Sequence, residues 1–300
     1  MDDATMLVEL EPTAERLVDR HLGMAKEWFP HELVEWRSPA TGSTATADPL
    51  PDGIASALFV NVLTEDNLPY YFASIEGLFG RDGAWGYWTR RWTAEEGRHS
   101  IALRDYLIMS GHIDPVTLER ARMAQVTGGV SPQPTSIADA FAYLALQELA
   151  TRIAHHNTGK ALPDTEGYAV MKRVAADENL HYLFYRDLAA AALDLDPSGM
   201  IEAIERQVVN FEMPGTGIPA FTHHAKAIAR AGIYDLGVHH GAILKPVVLG
   251  HWDVAGRTGL TPAAEAAQER LVQFIARLDR VSARITERRA KAGLTEAASG

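Results

Sequence analysis

Apolar residues recur every three or four positions along most of the chain, which is the periodicity of helices with one buried face. The pattern predicts a series of helices: 11–29, 53–79, 85–110, 115–126, one after residue 136, one after residue 164, and then 198–212, 219–250 and 262–293. No alternating apolar and polar run is long enough to predict a strand. We therefore expect an all-α protein, folded as one domain over 1–300 with a frayed tail at 294–300.

Several local signals set the expected limits of these helices. Pro12 lies near the start of the first one, and Pro69 should kink the second, because a proline inside a helix removes a backbone hydrogen bond. The segment 38–53 is rich in Ser, Thr, Pro and Gly, which predicts an ordered loop or a strap over the bundle. Ser136 and Asp139 resemble a capping box that opens the following helix.

Two segments place a glutamate three residues before a histidine: Glu96 with His99, and Glu178 with His181. Positions i and i+3 share one face of a helix, so the carboxylate and the imidazole can be directed at one point. A single motif of this kind arises readily by chance. Two of them, each preceded at a similar distance by a glutamate in the middle of a helix, are better explained by a shared site.

Glu65 and Glu148 are those two preceding glutamates. In a four-helix bundle, one Glu from each of two helices and a Glu-x-x-His from each of the others form a site for two metal ions. Four carboxylates neutralise two ferrous ions, and two neutral imidazoles add no charge. The sequence thus predicts a ferritin-like four-helix bundle core with additional helices and a di-iron carboxylate site. Its six metal ligands would be Glu65, Glu96, His99, Glu148, Glu178 and His181.

Residues beside the expected ligands are candidates for supporting roles. Asp177 and Glu95 each precede a ligand glutamate, and could accept a hydrogen bond from the outer nitrogen of a ligand histidine or be solvated charges. Thr151 lies on the same face as Glu148 and could donate a hydrogen bond or a proton at the metal site, or bond to its own helix. Adjacent histidines diverge on a helix, so the pairs at 155–156, 223–224 and 239–240 are interpreted as surface or core residues.

The composition narrows the chemistry further. The chain of 300 residues has no cysteine, which excludes disulfides, iron–sulfur ligation, thiolate zinc sites and thiol catalysis. A metal held by His, Asp and Glu is then most often iron or manganese. The net charge of −11 argues against nucleic acid as the main partner. No apolar run approaches ~20 residues and no signal peptide is visible, so we expect no membrane span and a cytoplasmic protein.

Longer motifs are similar to those of the soluble acyl-acyl-carrier-protein desaturases, the plastid stearoyl type and its actinobacterial relatives. The resemblance runs from about residue 10 to 290. Its matching segments are Trp-x-Pro at 28–30, Thr-Glu-x-x-Leu-Pro at 64–69, Trp-Thr-x-x-Trp-Thr-Ala-Glu-Glu-x-x-His at 88–99, Gln-Glu-x-Ala-Thr at 147–151, His-x-Asn-Thr at 155–158, Ala-Asp-Glu-x-x-His at 176–181, Gly-Ile-Tyr at 232–234, Gly-His-Trp at 250–252 and Thr-Gly-Leu at 258–260.

This resemblance implies the same six ligands for two Fe²⁺ ions and places Thr151 beside the site where O2 reacts. It implies a hydrogen-bonded chain of Trp28, Asp177 and His99 that would carry electrons inward. It further implies a homodimer, an acyl chain delivered on acyl carrier protein, and electrons from reduced ferredoxin. The expected reaction removes two hydrogens from neighbouring methylenes, leaving a cis double bond.

Three other classes of protein share parts of the pattern. A di-iron hydroxylase or amine oxygenase would use the same metals on a carrier-bound or small substrate, and would be recognised by its product. A ribonucleotide-reductase small subunit normally has an aspartate as first ligand and a reactive tail. This chain instead has Glu65 and a C-terminal segment of Ala, Ser and Gly. A non-catalytic helical homologue would bind carrier protein without taking up iron.

Overall fold

The computed structural model describes residues 1–36, 49–131 and 134–297, and every regular element within these ranges is a helix. The α-helices are α1 (Asp3–Met24), α2 (Pro30–Leu33), α3 (Asp52–Glu65), α4 (Leu68–Phe79), α5 (Gly83–Ser110), α6 (Pro115–Gly128), α7 (Ile137–Ala161), α8 (Thr165–Leu195), α9 (Pro197–Val209), α10 (Phe221–Arg230), α11 (Leu236–His239) and α12 (Pro262–Ala297). A π-helix, His240–His251, continues α11, and a short 3₁₀ turn spans Val254–Gly256. The prediction of an all-α fold is confirmed.

Four of these helices, α3, α5, α7 and α8, form the core bundle. α7 packs along most of α8, while α3 packs against α5 and α7. Around this core, α1 lies on α5 and α8, α10 lies on α3, α9 lies on α7 and α8, and α12 packs on α9. The predicted four-helix core with additional helices therefore matches the structure. That the chain forms one domain stays a prediction.

Two apolar clusters lie on either side of a polar layer in the bundle. On α5, Trp88 belongs to one cluster and Leu103 to the other. On α8, Phe184 belongs to the same cluster as Trp88, and Met171 belongs to the same cluster as Leu103. Between these positions, the side chains that face the interior of the bundle are buried although they are polar or charged: Glu95, Glu96, His99, Asp177, Glu178 and His181. Apolar packing on both sides thus shields this polar layer from water.

The first helix differs from its prediction at both ends. It begins at Asp3, because the side chain of Asp2 accepts a hydrogen bond from Thr5 N at 2.8 Å and caps the helix, so Pro12 lies well inside it. The helix ends at Met24, not at residue 29. Trp28 consequently lies in a non-helical segment that leads to Pro30.

The predicted single kinked helix over 53–79 is two helices. α3 ends at Glu65, α4 begins at Leu68, and Pro69 occupies the first turn of α4, where its missing N–H costs nothing. α6 fills the break: Gln125 Nε2 donates to Asn67 Oδ1 at 2.9 Å, and Asn67 Nδ2 donates to the Val130 carbonyl at 2.7 Å. These side-chain hydrogen bonds connect the break to α6 and to the segment that follows it.

The region predicted as one helix over 219–250 is also divided. α10 ends at Arg230, Gly232 adopts a left-handed φ of 71°, and a new helix begins only at Leu236. Since glycine is the residue that enters this conformation without strain, it marks the turn. The other predicted limits are close to those observed.

The capping box predicted at the start of α7 is only half formed. Ser136 caps α7 as expected, accepting from Asp139 N at 3.1 Å. The Asp139 carboxylate does not complete a capping box. It accepts instead from the hydroxyls of Thr135 and Ser136.

Most of the loop expected at 38–53 lies outside the described residues. The expected frayed tail is helical as far as Ala297, and 298–300 also lie outside the described ranges. Among the described helices none combines the length and apolar character that crossing a membrane requires.

Candidate metal centre

The six residues predicted as ligands are brought together between the core helices. They are Glu65 at the end of α3, Glu96 and His99 on α5, Glu148 on α7, and Glu178 and His181 on α8. None of the six is more than 6% exposed. Each Glu-x-x-His pair lies within one helical turn, so both of its side chains reach the same space.

Their side-chain oxygens and nitrogens form two overlapping groups of four. The first group is Glu65, Glu96, His99 and Glu178, and the second is Glu96, Glu148, Glu178 and His181. Within each group the ligand atoms lie within 4.8 Å of one another. Glu96 and Glu178 belong to both groups. This arrangement suits two neighbouring ions, each with one His and one Glu of its own and two carboxylates in common.

The inner nitrogens of the two histidines face these carboxylates. His99 Nδ1 lies 3.4 Å from both Glu96 Oε2 and Glu178 Oε1, and His181 Nδ1 lies 2.9 Å from Glu96 Oε1. Neither Nδ1 has a hydrogen-bond partner among the described residues, and Glu148 Oε2 has none either. Unpartnered buried polar atoms are rare in proteins. Directed at one space at separations of about 3 Å, they fit the ligand shell of a divalent cation.

The charges in this space favour cations. Burial, followed by the charges of Glu178 and Glu96, raises the pKa of Glu148 well above its usual value. Burial alone would lower the pKa of His99, but the charge of Glu96, the hydrogen bond with Asp177 and the nearby carboxylate of Glu178 raise it well above its usual value. Two divalent cations would offset the repulsion that these shifts reflect. The residues present therefore fit a pair of iron ions.

Asp177 lies between His99 and Trp28, as the sequence suggested. Trp28 Nε1 donates to Asp177 Oδ2 at 2.7 Å, and His99 Nε2 lies 3.5 Å from the same oxygen. Burial would raise the pKa of Asp177, but hydrogen bonds with His99 and Trp28 and the charge of Arg173 lower it to about 2. An ionised carboxylate in this position keeps His99 Nε2 protonated and leaves Nδ1 free for a metal.

The hydroxyl of Thr151 is close enough to bond either to the candidate site or to its own helix, the two roles that were considered for it. Its Oγ1 lies 3.1 Å from Glu178 Oε2, so the hydroxyl faces the candidate site. The same oxygen lies 3.0 Å from the carbonyl of Glu148 in its own helix. One hydroxyl proton can be donated to only one of these acceptors at a time, so Thr151 can change partners by rotation of its hydroxyl about the Cβ–Oγ1 bond.

Sequence reasoning missed a third buried histidine at the site. His155 was interpreted as a surface or core residue, but its Nε2 lies 2.9 Å from Glu65 Oε1, and the side chain is 1% exposed. A signal was present, because His155 follows Glu148 by two helical turns and lies on the same face as Thr151. Its neighbour His156 is only half-buried.

Glu95 accepts a hydrogen bond from the outer nitrogen of His181, one of the two roles considered for it, and His21, which the sequence did not predict, shares the same carboxylate. His21 Nε2 and His181 Nε2 both lie 2.9 Å from Glu95 Oε2. The spacing is that of hydrogen bonds rather than of a further metal site. His21 is on α1, 74 positions before Glu95, and no local pattern connects the two residues.

A narrow apolar pocket borders the candidate site. Trp92 is in its wall and also donates its indole N–H to Glu148 Oε1 at 3.1 Å. The other lining residues are uncharged: Tyr71, Ser74, Ile75, Leu78, Ser131, Pro134, Ala140, Tyr143, Leu144, Gln147 and Pro214. A second apolar pocket between α3, α7 and α10 shares Pro214 with the first.

Comparison with known proteins assigns the family. The family model described as fatty acid desaturase matches residues 2–299. DesA1 of Mycobacterium tuberculosis, named as a candidate acyl-[acyl-carrier-protein] desaturase, is 40% identical over 297 residues, which cover 93% of this chain and 87% of the relative. The chloroplastic stearoyl-[acyl-carrier-protein] 9-desaturase 6 of Arabidopsis thaliana is 31% identical over 81% of this chain and 66% of its own length.

A solved structure gives the same assignment. The X-ray structure of DesA2 from Mycobacterium tuberculosis H37Rv, titled as a candidate acyl-ACP desaturase, superposes with a TM-score of 0.69. The sequences are 25% identical, and the match covers 88% of this chain and 99% of that one. The chain therefore belongs to the fatty acid desaturase family.

Proposed function

We propose that this protein is an O2-dependent acyl-[acyl-carrier-protein] desaturase that introduces a cis double bond into a fatty acyl chain. One observation carries the proposal: two groups of four ligands share Glu96 and Glu178 directly beside an apolar pocket. The names of the relatives support the class of substrate.

The two groups of four would hold two iron ions. Glu65 and His99 would belong to one ion, Glu148 and His181 to the other, and the two shared carboxylates to both. When bound, the iron pair would supply the oxidising power that removal of hydrogen from an unactivated methylene requires. Because all six ligands are buried, the protein would keep water away from this chemistry.

The pocket would bind the acyl chain. Among the described residues its walls carry no charged side chain, which fits a saturated hydrocarbon and disfavours an amine or another polar substrate. Trp92 connects the wall of the pocket to Glu148, so a chain lying there would pass beside the candidate metal ligands. The position of each methylene relative to the ligands would then decide which bond is oxidised.

Electrons would enter through Trp28. Its ring stacks on that of His99 at a centroid distance of 6.3 Å and an interplanar angle of 10°, and its N–H is bonded to Asp177. Trp28 is 5% exposed and lies against the guanidinium groups of Arg98 and Arg173. We assign the electron donor to the ferredoxin type.

We further propose that the hydroxyl of Thr151 holds a proton beside Glu178. The working assembly that we infer is a homodimer.

The test is product analysis on purified protein loaded anaerobically with ferrous iron. Palmitoyl and stearoyl thioesters of acyl carrier protein, and the matching coenzyme A thioesters, are incubated with reduced ferredoxin and air. We expect an alkene from the carrier-bound substrates, with one O2 consumed per double bond. A hydroxylated product without alkene would replace the desaturase with a hydroxylase. Iron uptake without any oxidised product would exclude both enzymes.

A further inference from the structure

The outer nitrogens of the two candidate ligand histidines have different partners. On one side, His99 Nε2 faces Asp177, which also accepts from the indole of Trp28 and from Arg98 and Arg173. On the other side, His181 Nε2 faces Glu95, whose other imidazole donor is His21. The proposed electron path uses the first arrangement and leaves the second without a role.

Glu95 is fixed from both of its oxygens. Oε2 lies 2.9 Å from the Nε2 atoms of His21 and His181, and Oε1 lies 2.5 Å from Arg91 Nη2. A carboxylate oxygen accepts hydrogen bonds, and the Arg91 guanidinium balances the charge of this one, so both imidazoles must donate an N–H to Oε2.

His21 is also held by its neighbours. It is 4% exposed, its ring stacks on that of His181 at 5.8 Å with an interplanar angle of 21°, and it meets the edge of Trp88 at 5.0 Å. The ring cannot turn without displacing one of these aromatic groups. Its Nε2 is consequently a fixed donor to Glu95, supplied by α1 to a bundle of which α1 is not a core helix.

We infer that His21 is a positioning residue for the metal ion bound by His181, and that it acts through Glu95. With two N–H donors on Oε2, the Glu95 carboxylate cannot rotate, so it fixes the ring plane and the tautomer of His181. His181 Nδ1 is then directed at Glu96 Oε1, 2.9 Å away. This inference rests on the proposed metal centre.

Without the His21 donor, Glu95 Oε2 keeps only the hydrogen bond from His181. Arg91 and Arg98, which contact Oε1 at 2.5 and 3.7 Å, would then draw the carboxylate away from His181. Outer hydrogen-bond partners of this kind typically change metal affinity by about 10–100-fold. Because His21 acts one residue further out, we expect the lower end of this range, and only for one of the two ions.

The experiment compares three variants by anaerobic ferrous titration and by Mössbauer spectroscopy of the ⁵⁷Fe²⁺-loaded protein. His21→Phe keeps a ring without a donor, and His21→Gln keeps an N–H near the position of Nε2. Asp177→Asn is the matched control for the other ion. Wild-type protein should show two ferrous sites. Should His21→Phe prevent folding, Glu95→Gln tests the same connection from its other end.

We expect His21→Phe to weaken one of the two sites about tenfold and to alter one quadrupole doublet, while His21→Gln restores both readings. Asp177→Asn should alter the other doublet. Unchanged sites in His21→Phe, equal weakening of both sites, or no restoration by His21→Gln would each overturn the inference and leave the metal centre standing. Wild-type protein that binds no iron would instead remove the proposed function.

Discussion

His155 Nε2 lies 2.9 Å from Glu65 Oε1, and both side chains are almost completely buried. The contact joins α7 to the last residue of α3, directly before the break between α3 and α4. Burial would raise the pKa of Glu65, but the hydrogen bond with His155 and the nearby imidazole of His99 outweigh it and lower the pKa. His155 thus keeps a candidate ligand ionised from outside the ligand set.

Replacing His155 with Phe should therefore weaken the ion that Glu65 holds. Loss of one charge-assisted hydrogen bond to a ligand carboxylate predicts a decrease of about 10–100-fold in ferrous affinity, measured anaerobically against a competing chelator. His156→Phe is the control, because that neighbour is half-buried and lines a separate pocket with Asn157 and Val238. Equal losses in the two variants would mean that the effect comes from packing of α7.

The ion pair of Arg122 with Asp66 should stabilise the break after Glu65. Arg122 Nε and Nη2 lie 2.7 and 2.8 Å from the two oxygens of Asp66, which is 6% exposed. Arg122→Met leaves that buried carboxylate with Ser100 as its remaining donor. We expect unfolding free energy to fall by about 2 kcal/mol in urea denaturation.

The control for this change is Arg120→Met, at an exposed position of the same helix. A surface substitution of this kind should change stability by less than about 0.5 kcal/mol. If Arg122→Met were as mild as the control, α6 would not fix the break through this ion pair.

His239 makes the fold sensitive to mild acid. It is 8% exposed, accepts a hydrogen bond from Tyr234 at Nδ1 and packs against Phe211. Burial, and next the charge of His240, lower its pKa from 6.5 to about 4. The unfolded chain therefore binds the proton more tightly, and stability is lost as pH falls from about 6.5 towards 4.

The substitution His239→Asn isolates this contribution, because Asn keeps an acceptor near Nδ1 and does not titrate. Between pH 7 and pH 5 we expect wild-type protein to lose about 2 kcal/mol more unfolding free energy than the variant. Denaturant midpoints at the two pH values give the difference, since all other groups titrate alike in both proteins. Equal losses of unfolding free energy in wild-type protein and in the variant would show that the protonation of His239 does not change between pH 7 and pH 5.

Ser74 offers a direct test of the acyl pocket. It lies in the pocket wall on α4, so Ser74→Phe should fill a narrow space without touching the candidate ligands. We expect kcat/KM for stearoyl substrate to fall about tenfold or more, with a smaller loss for shorter chains and unchanged iron content. Ala73→Phe places the same ring on the exposed side of α4 and should leave chain-length preference unchanged. A uniform loss over all chain lengths would place the substrate elsewhere.

The helices and the candidate ligands could be predicted from the sequence because their signals are local. Glu96 and His99 are separated by one helical turn, and the same holds for Glu178 and His181, so periodicity alone places each pair on one face. The second pattern, a mid-helix glutamate before each pair, pointed to the remaining two positions. His155 was within reach of the same reasoning, since it follows Glu148 by two turns.

The rest depends on contacts that are distant in sequence. The break after Glu65 is stabilised by α6, and the apolar pattern runs through it, so periodicity alone predicted one helix. His21 and Glu95 meet only because α1 packs on α5 and α8. The early start of α1 depends on a cap at Asp2, which the pattern around Pro12 obscured.

The central claim, two metal ions held in common by Glu96 and Glu178, is tested most directly by counting iron after anaerobic ferrous loading. Glu178→Gln removes a shared ligand, whereas Glu166→Gln changes a glutamate of the same helix outside both ligand groups. We predict about two irons per chain in wild-type protein and in Glu166→Gln, and less than one in Glu178→Gln. Two irons per chain in Glu178→Gln, or none in wild-type protein, would contradict the account.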